Sequence, residues 1–296
     1  MKNLFGRADA ASREGLPLLT LADYTGPLDR PGLEAAIRRR CQVVNLGGDT
    51  ALCRVLGRYK FLVDTRDEGL APHLLLDGYW EFWVTHLIAN GIRPGQVVYD
   101  VGANLGYYAV LMAELAGPSG HVHAVEPNPR LADLTRRNLA LNGFTGSSTV
   151  HRVLATDRSG DRFRFQADMS DPKNGRIVPE DMPSPDAHQA ILDISVPSQR
   201  LDDIAEGPAH FVKIDVEGAE EAAWDGMQGL IARSPDIVVL LEFNAQRCKD
   251  GPAMLRDIAA GFPLRELGYD AVVRDVAARE VLSRTEDTML YLSRGM

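Results

Sequence analysis

The chain has 296 residues, 45% of them hydrophobic and 25% charged, with a formal net charge of −9 and a pI near 5.3. That is enough ordinary chain for a full core in one large or two ordinary domains, and the acidic balance argues against a protein that wraps nucleic acid. Cys41, Cys53 and Cys248 are too few and too scattered for a disulfide framework or a C-x-x-C metal site.

Met1 to Gly32 is rich in Gly, Pro, Asp and Arg, so its first part is expected to be loose or packed as a loop. It lacks the apolar stretch of a secretion signal, and no apolar run in the chain is long enough to span a bilayer. A cytoplasmic protein without membrane contact is the expectation. Leu33 to Arg39 reads as a short helix, with Arg38, Arg39 and Arg40 as its solvated end. From Cys41 to Thr65, apolar runs broken at Gly47-Gly48 and Gly57-Arg58 predict a small antiparallel meander. Residues 1–68 are therefore read as an accessory or cap region, and 69–296 as the main domain. Gly69 to Asn90 reads as loop then helix, with Trp80, Val84, Leu87 and Ile88 on one face. Tyr79, Trp80 and Trp83 are read as core.

The organising stretch is Val97 to Tyr108. An apolar β-branched strand stops on Asp100-Val101 and turns through Gly102 and Gly106 into a helix that Gly117-Pro118 ends. Two glycines let the backbone approach a ligand, and a helix opened there points free N–H groups into the same crevice. A nucleotide-type cofactor is implied, and charge selects which. A pyrophosphate favours bare amides and has no use for a carboxylate ending the first strand, and G-A-N-L-G lacks a glycine of the G-x-G-x-x-G fingerprint. S-adenosylmethionine, with sulfonium, ammonium and ribose diol, suits acceptors and negative charge, while its carboxylate can use helix amides. Glu126, ending the next strand (Val122 to Val125), is placed to bind both ribose hydroxyls. His121 and His123 alternate on that strand at the end far from the cofactor and are read as structural.

Asn128-Pro129 then opens a helix with Leu131, Leu134 and Leu141 on its buried face, and Asn142-Gly143 stops it. Thr149 to Leu154 reads as the third strand. Arg162 to Leu192 is irregular, polar and broken by Pro and Gly, the pattern of a lid or substrate loop or, alternatively, of an ordinary surface hairpin. Phe211 to Val216 is the fourth strand, followed by a helix carrying Ala223, Met227, Leu230 and Ile231. Strands one and four flank the switch point of such a sheet, which turns Asp215 toward the methyl-bearing end of the cofactor. Ile237 to Leu241 is the fifth strand and ends on Glu242. A helix around Ala253 to Ala260, a sixth strand in Gly268 to Val273 and a last strand from Thr288 to Leu292 complete the set.

Tyr99 to Gly106, Glu126-Pro127-Asn128, Asn138 to Gly143 and Lys213-Ile214-Asp215-Val216-Glu217-Gly218-Ala219-Glu220 together resemble the FkbM family of S-adenosylmethionine-dependent methyltransferases, over about Gly69 to Phe243. The resemblance implies an α/β, Rossmann-like class I methyltransferase fold with a seven-stranded, mostly parallel sheet covered by helices on both faces. It also implies O-methylation of a small molecule, often a sugar or natural-product hydroxyl. Gly78-Tyr79-Trp80-Glu81 matches a family setting in which the glutamate binds the cofactor ammonium, the alternative being a surface glutamate at a helix N-terminus, and Asp157 stands where such enzymes usually reach the adenine, although Asp157-Arg158-Ser159-Gly160 is equally a good turn. The cofactor set is then Glu81, Asp100, Gly102, Asn104, Gly106, Glu126, Asp157 and Asp215. The catalytic candidates are Asp215, Glu217 and Glu242 as bases, with Lys213 holding Asp215 charged or assisting directly, or else standing as a buried strand lysine paired with acid. Three carboxylates on one rim could hold Mg²⁺, but no spacing in the sequence demands a metal. No N-P-P-[YFW] stretch or Pro-Cys nucleophile follows the fourth strand, which argues against a nucleic-acid acceptor. The rival readings are a nicotinamide-dependent oxidoreductase and a regulatory module that binds the cofactor without turnover.

Overall fold

The computed structural model describes residues 16–186, 188 and 190–295. Residues 1–15, the first part of the segment expected to be loose, lie outside the described residues. The elements begin with α1 (Arg30–Arg38), which Asp29 caps by accepting from the Gly32 N–H at 3.2 Å. A meander follows: β1 (Val43–Gly47), β2 (Thr50–Val55) and β3 (Tyr59–Asp64), antiparallel in that order. Two short helices, α2 (Ala71–Leu76) and α3 (Phe82–Gly91), lead into β4 (Val97–Val101), α4 (Tyr107–Ala116), β5 (His121–Val125), α5 (Pro129–Leu141) and β6 (Ser148–His151).

The irregular middle of the sequence is a sheet of its own: β7 (Leu154–Ala155), β8 (Arg162–Asp168), β9 (Arg176–Val178) and β10 (Ile191–Gln199), in the order β7-β10-β8-β9. β11 (Phe211–Ile214), α6 (Glu220–Asp225), α7 (Gln228–Arg233), β12 (Val238–Phe243), α8 (Gly251–Gly261), β13 (Arg265–Leu267), β14 (Val273–Asp275), α9 (Ala278–Ser283) and β15 (Thr288–Ser293) complete the chain.

The main sheet runs β14-β13-β15-β12-β11-β4-β5-β6 among the described residues. Its five strands β12, β11, β4, β5 and β6 are parallel, and β15 pairs antiparallel to β12. The α/β, Rossmann-like expectation holds, but the sheet has eight strands and not seven. Arg265–Leu267 pairs with β15, and of the stretch Gly268 to Val273 read as a strand only Val273 enters one, β14, while Gly268 to Val272 is a turn closed by the Gly268 N–H donating to the Val272 carbonyl at 3.0 Å. The third strand stops at His151, because Leu154–Ala155 crosses over to pair with β10. The single helix expected after Gly218 breaks at Gly226, where a Cβ would lie 2.0 Å from the Thr156 carbonyl oxygen.

One hydrophobic cluster runs from the meander through α3 and α4, joining Phe61, Val63, Phe82, Val110 and Leu111. α5 is latched to β3 by backbone mimicry. The Asn138 amide accepts from the Leu62 N–H at 2.7 Å and donates to the Leu62 carbonyl at 3.0 Å, and Asn142 does the same at Lys60. These asparagines therefore supply β3 with the partner that a neighbouring strand would have given. The other face of the main sheet packs on α6, α7 and α8 through Trp224, Leu230 and Leu255. No helix among the described residues is long and apolar enough to cross a membrane.

Candidate active site

The carboxyl ends of β4 and β11 part at the switch point of the parallel strands, and a cavity of about 380 Å³ opens there, in the size range of small-molecule sites. Gly102 makes this crossing possible. Its φ is +80°, and a Cβ would stand 1.7 Å from the Asp215 carbonyl oxygen, so only glycine lets the two strand ends approach. Gly106 has φ +90° and packs against Thr135 of α5.

The amides of the loop from Gly102 to Gly106 are turned inward, onto the protein itself. The N–H groups of Gly102 and Ala103 both donate to the Val125 carbonyl, at 2.9 and 3.0 Å. Asn104 N–H donates to Glu126 Oε2 at 2.9 Å, Leu105 N–H to Asn104 Oδ1 at 2.7 Å, and Gly106 N–H to the Ala103 carbonyl at 2.8 Å. All five are used inside the protein, so the loop offers no nest for a diphosphate.

Glu126 is buried at the cavity wall, its second oxygen taking the Asn128 N–H at 2.8 Å. Burial pushes its carboxyl up to about 7 despite these two donors. Glu81, in the left-handed region at φ 34°, lines the opposite wall and accepts from the Tyr108 hydroxyl at 2.8 Å. Its carboxyl is also raised, by burial first and by Asp215 second. Leu154, Ala155, Phe165 and Ile177 form an apolar wall between the second sheet and the end of β5.

Three residues of the expected cofactor set do not line the cavity: Gly106, Asp157 and Asp100. Asp157 is exposed, pairs with Arg158 at 3.6 Å and does not line the cavity, since the chain has already turned outward after Ala155. Asp100 is fully buried and does not line the cavity either; the pleat turns it to the same face as buried Val98. Both its oxygens lack hydrogen-bond partners, and burial pushes it up to about 6 against the pull of Lys213, its register partner on β11.

Lys213 is 1% exposed and donates to Asp215 Oδ2 at 3.0 Å, with the Tyr108 ring 4.9 Å below its ammonium. Burial opposes its charge, yet Asp215 and Asp100 more than offset that and raise its pKa. Asp215, Glu217 and Glu242 come together at this end, with one oxygen of each within 4.8 Å of the others. Divalent cations can bridge oxygens so spaced. Arg247, not anticipated from the sequence, already brings positive charge there: it lies 3.1 Å from Glu217, 3.6 Å from Glu242 and 2.9 Å from Asp287. Even so, burial and neighbouring acids push Glu217 up to about 7 and Glu242 to about 9.

The segment 162–192 supplies Phe165 and the stretch Pro172 to Ile177 to the cavity. Trp80, read as core, is half-buried on the wall, and the Lys173 ammonium stands 5.5 Å from its ring centroid. Lys173, Arg247 and Asp287 had no motif to mark them, because each reaches the cavity from a loop whose path only tertiary packing sets. His121, His123 and His151 stack at the start of β5 and the end of β6, away from the cavity lining, with His123 Nδ1 3.1 Å from His151 Nε2.

Among known proteins, the chain is similar to a protein-L-isoaspartate O-methyltransferase of Methanothrix thermoacetophila, 54% identical over 59 residues, which are 20% of this chain and 28% of that protein. A protein of the same description from Ignicoccus hospitalis is 45% identical over 81 residues, 27% of this chain and 34% of that protein. The chain thus spans about a third or less of these curated relatives. Among solved structures, the methyltransferase FkbM from Methylobacillus flagellatus KT aligns at 17% identity and a TM-score of 0.42, over 74% of this chain and 52% of that one. The O-methyltransferase from Bacillus cereus in complex with SAH aligns at 13% identity and a TM-score of 0.39, over 72% and 80%. The family model of the methyltransferase FkbM domain matches residues 100–271, which is more than half of the chain, begins at Asp100 at the end of β4 and holds β5, β11 and β12 with their acids; the chain belongs to the FkbM family of S-adenosylmethionine-dependent methyltransferases.

Proposed function

We propose that this methyltransferase acts on a hydroxyl oxygen of a small molecule, and that the acid cluster at the end of β11 and β12 removes the hydroxyl proton. The observation that carries this reading is the crowding of Asp215, Glu217 and Glu242, two of which burial and mutual repulsion push into the range of about 7 to 9. A base whose pKa lies near the working pH takes a proton and releases it again readily.

S-adenosylmethionine supplies an electrophilic methyl group on a sulfonium. The fit of the site to it rests on its acids and its geometry. Glu126 presents a carboxylate held by two backbone donors, suited to a ribose diol. Glu81 offers an acceptor for the ammonium, and the wall of Leu154, Ala155, Phe165 and Ile177 suits an adenine. Gly102 shapes the floor, Gly106 packs behind it on Thr135, Asn104 ties the loop to Glu126, and Lys213 holds Asp215 in place at 3.0 Å. The consumed loop amides count against a nicotinamide dinucleotide. Arg247 restrains Glu217 and Glu242 so that an incoming hydroxyl meets an ordered oxygen, which is a positioning contribution.

The test is transfer of a labelled methyl group to a panel of small hydroxyl compounds, with an isoaspartyl peptide and an RNA as comparators. Label in an alkali-stable ether is expected. Label confined to an alkali-labile ester or to RNA would end the hydroxyl reading.

A further inference from the structure

Resting on the placement of Glu81 at the cofactor ammonium, we propose that Lys173 receives the carboxylate of the same amino-acid moiety, so that the strap from Pro172 to Ile177 reads the cofactor's zwitterion. An S-adenosylmethionine carboxylate needs a cation or free N–H donors, and the amides of residues 102 to 106 are all engaged within the protein. Four cations line the cavity: Lys173, Arg176, Lys213 and Arg247. Lys213 is bound to Asp215, and Arg247 is divided among Glu217, Glu242 and Asp287. Arg176 is exposed on β9. Lys173 is half-buried, and among the described residues its ammonium has a contact with the Trp80 ring and no ion pair.

Its position is as telling as its freedom. Trp80 is the residue before Glu81, and Lys173, which stands against the Trp80 ring, lines the same cavity as the carboxylate that would take the cofactor's ammonium. Its charge acts on both Glu81 and Glu217, yet it pairs directly with neither. An α-amino acid carries its ammonium and carboxylate on one carbon. A lysine and a glutamate facing one cavity without touching each other leave a gap of the right polarity for that pair.

The strap is built to hold this lysine. Asn174 hydrogen-bonds Asp171, the Glu68 N–H donates to the Ser170 carbonyl at 2.7 Å, and Gly69 passes so close that a Cβ would lie 2.8 Å from Lys173 Cε. Gly175 lies against the Phe165 ring, where a Cβ would be 2.2 Å from Cζ. The strap that covers the apolar wall with Ile177 therefore also delivers the cation.

The experiment compares binding of S-adenosylmethionine and decarboxylated S-adenosylmethionine by calorimetry, in the native chain and in Lys173→Gln, Lys173→Arg and Glu81→Gln. The native chain should prefer the carboxylated ligand by about tenfold, as a charge-assisted hydrogen bond is worth. Lys173→Gln should erase most of that preference, and Lys173→Arg should keep it. Glu81→Gln should weaken both ligands alike, since both carry the ammonium. An undiminished preference in Lys173→Gln overturns the proposal and returns Lys173 to an anionic group on the acceptor. An undiminished preference with both ligands weakened by the same factor would also overturn it, by assigning the lysine to the fold of the strap. A native chain that binds neither ligand overturns the reading of the whole cavity, a different failure from either of these.

Discussion

Gly102→Ala tests the geometry on which the site is built. The added methyl would lie 1.7 Å from the carbonyl oxygen of Asp215 and 2.8 Å from its carbon, about half of an ordinary contact distance. Relief requires the tips of β4 and β11 to separate by more than 1 Å on the order of a lost contact, and the next rung inward is the 3.1 Å hydrogen bond from Asp215 N–H to the Val101 carbonyl. Losing that bond costs about 1 kcal/mol. An L-residue at positive φ adds about 1–2 kcal/mol, and overpacking about 1–3 kcal/mol. A loss of about 3–6 kcal/mol follows from these terms, together with weaker cofactor binding as Asp215 shifts. Gly143→Ala is the control, since Gly143 has φ +84° with nothing within 4 Å of its Cβ. It carries the conformational penalty alone, about 1 kcal/mol. Urea unfolding followed by circular dichroism compares the two. Equal destabilisation would refute the close crossing of the strands.

Glu126→Ala should lower S-adenosylmethionine affinity by at least about tenfold, measured by calorimetry, while Asp157→Ala should leave it unchanged, because Asp157 faces solvent. Glu126 also makes stability depend on pH. Its carboxyl rises from an ordinary 4.5 to about 7 in the folded chain, so the native state keeps a proton that the unfolded state releases. Stability without cofactor should therefore fall as pH rises from about 4.5 to 7, by about 3 kcal/mol relative to Glu126→Gln, read from denaturation at several pH values. His123 gives the opposite slope: burial lowers it from 6.5 to about 3, so its unfolded state gains the proton and stability falls as pH drops below 6.5. His123→Asn should flatten that acid limb in thermal scans. Arg247→Gln leaves Glu217, Glu242 and Asp287 without their shared cation. Methyl transfer in that variant should show its pH profile displaced upward, since more carboxyls retain their protons.

The parallel strands and the acids that end them were legible because the signals are local. A strand buried on both faces must be apolar, and where it leaves the sheet a carboxylate stands out, as at Asp100, Glu126, Asp215 and Glu242. The last of these signals is also the least complete. Asp100 ends its strand on the same pattern as Glu126, yet the pleat buries one and presents the other, a difference of facing that spacing alone does not reveal. The meander was visible in its turn glycines, whereas the sheet formed by β8, β9 and β10 was hidden, because its register is made by pairing between residues far apart, such as Ile194 with Phe165.

Strand-end chemistry in the sequence thus pointed to the cofactor class and to acids along one rim, while the motifs from Tyr99 to Gly106, Glu126 to Asn128, Asn138 to Gly143 and Lys213 to Glu220 carried the family resemblance and, through it, the α/β class. Tertiary packing decided which loop amides were already spent, which acids faced the cavity and which cations arrived there from β9's approach and from the turn after β12. Those outcomes depend on where separate backbone segments meet. Gly102 against Asp215, Lys173 beside Trp80 and Arg247 between Glu217 and Asp287 are contacts between parts of the chain that no local pattern connects.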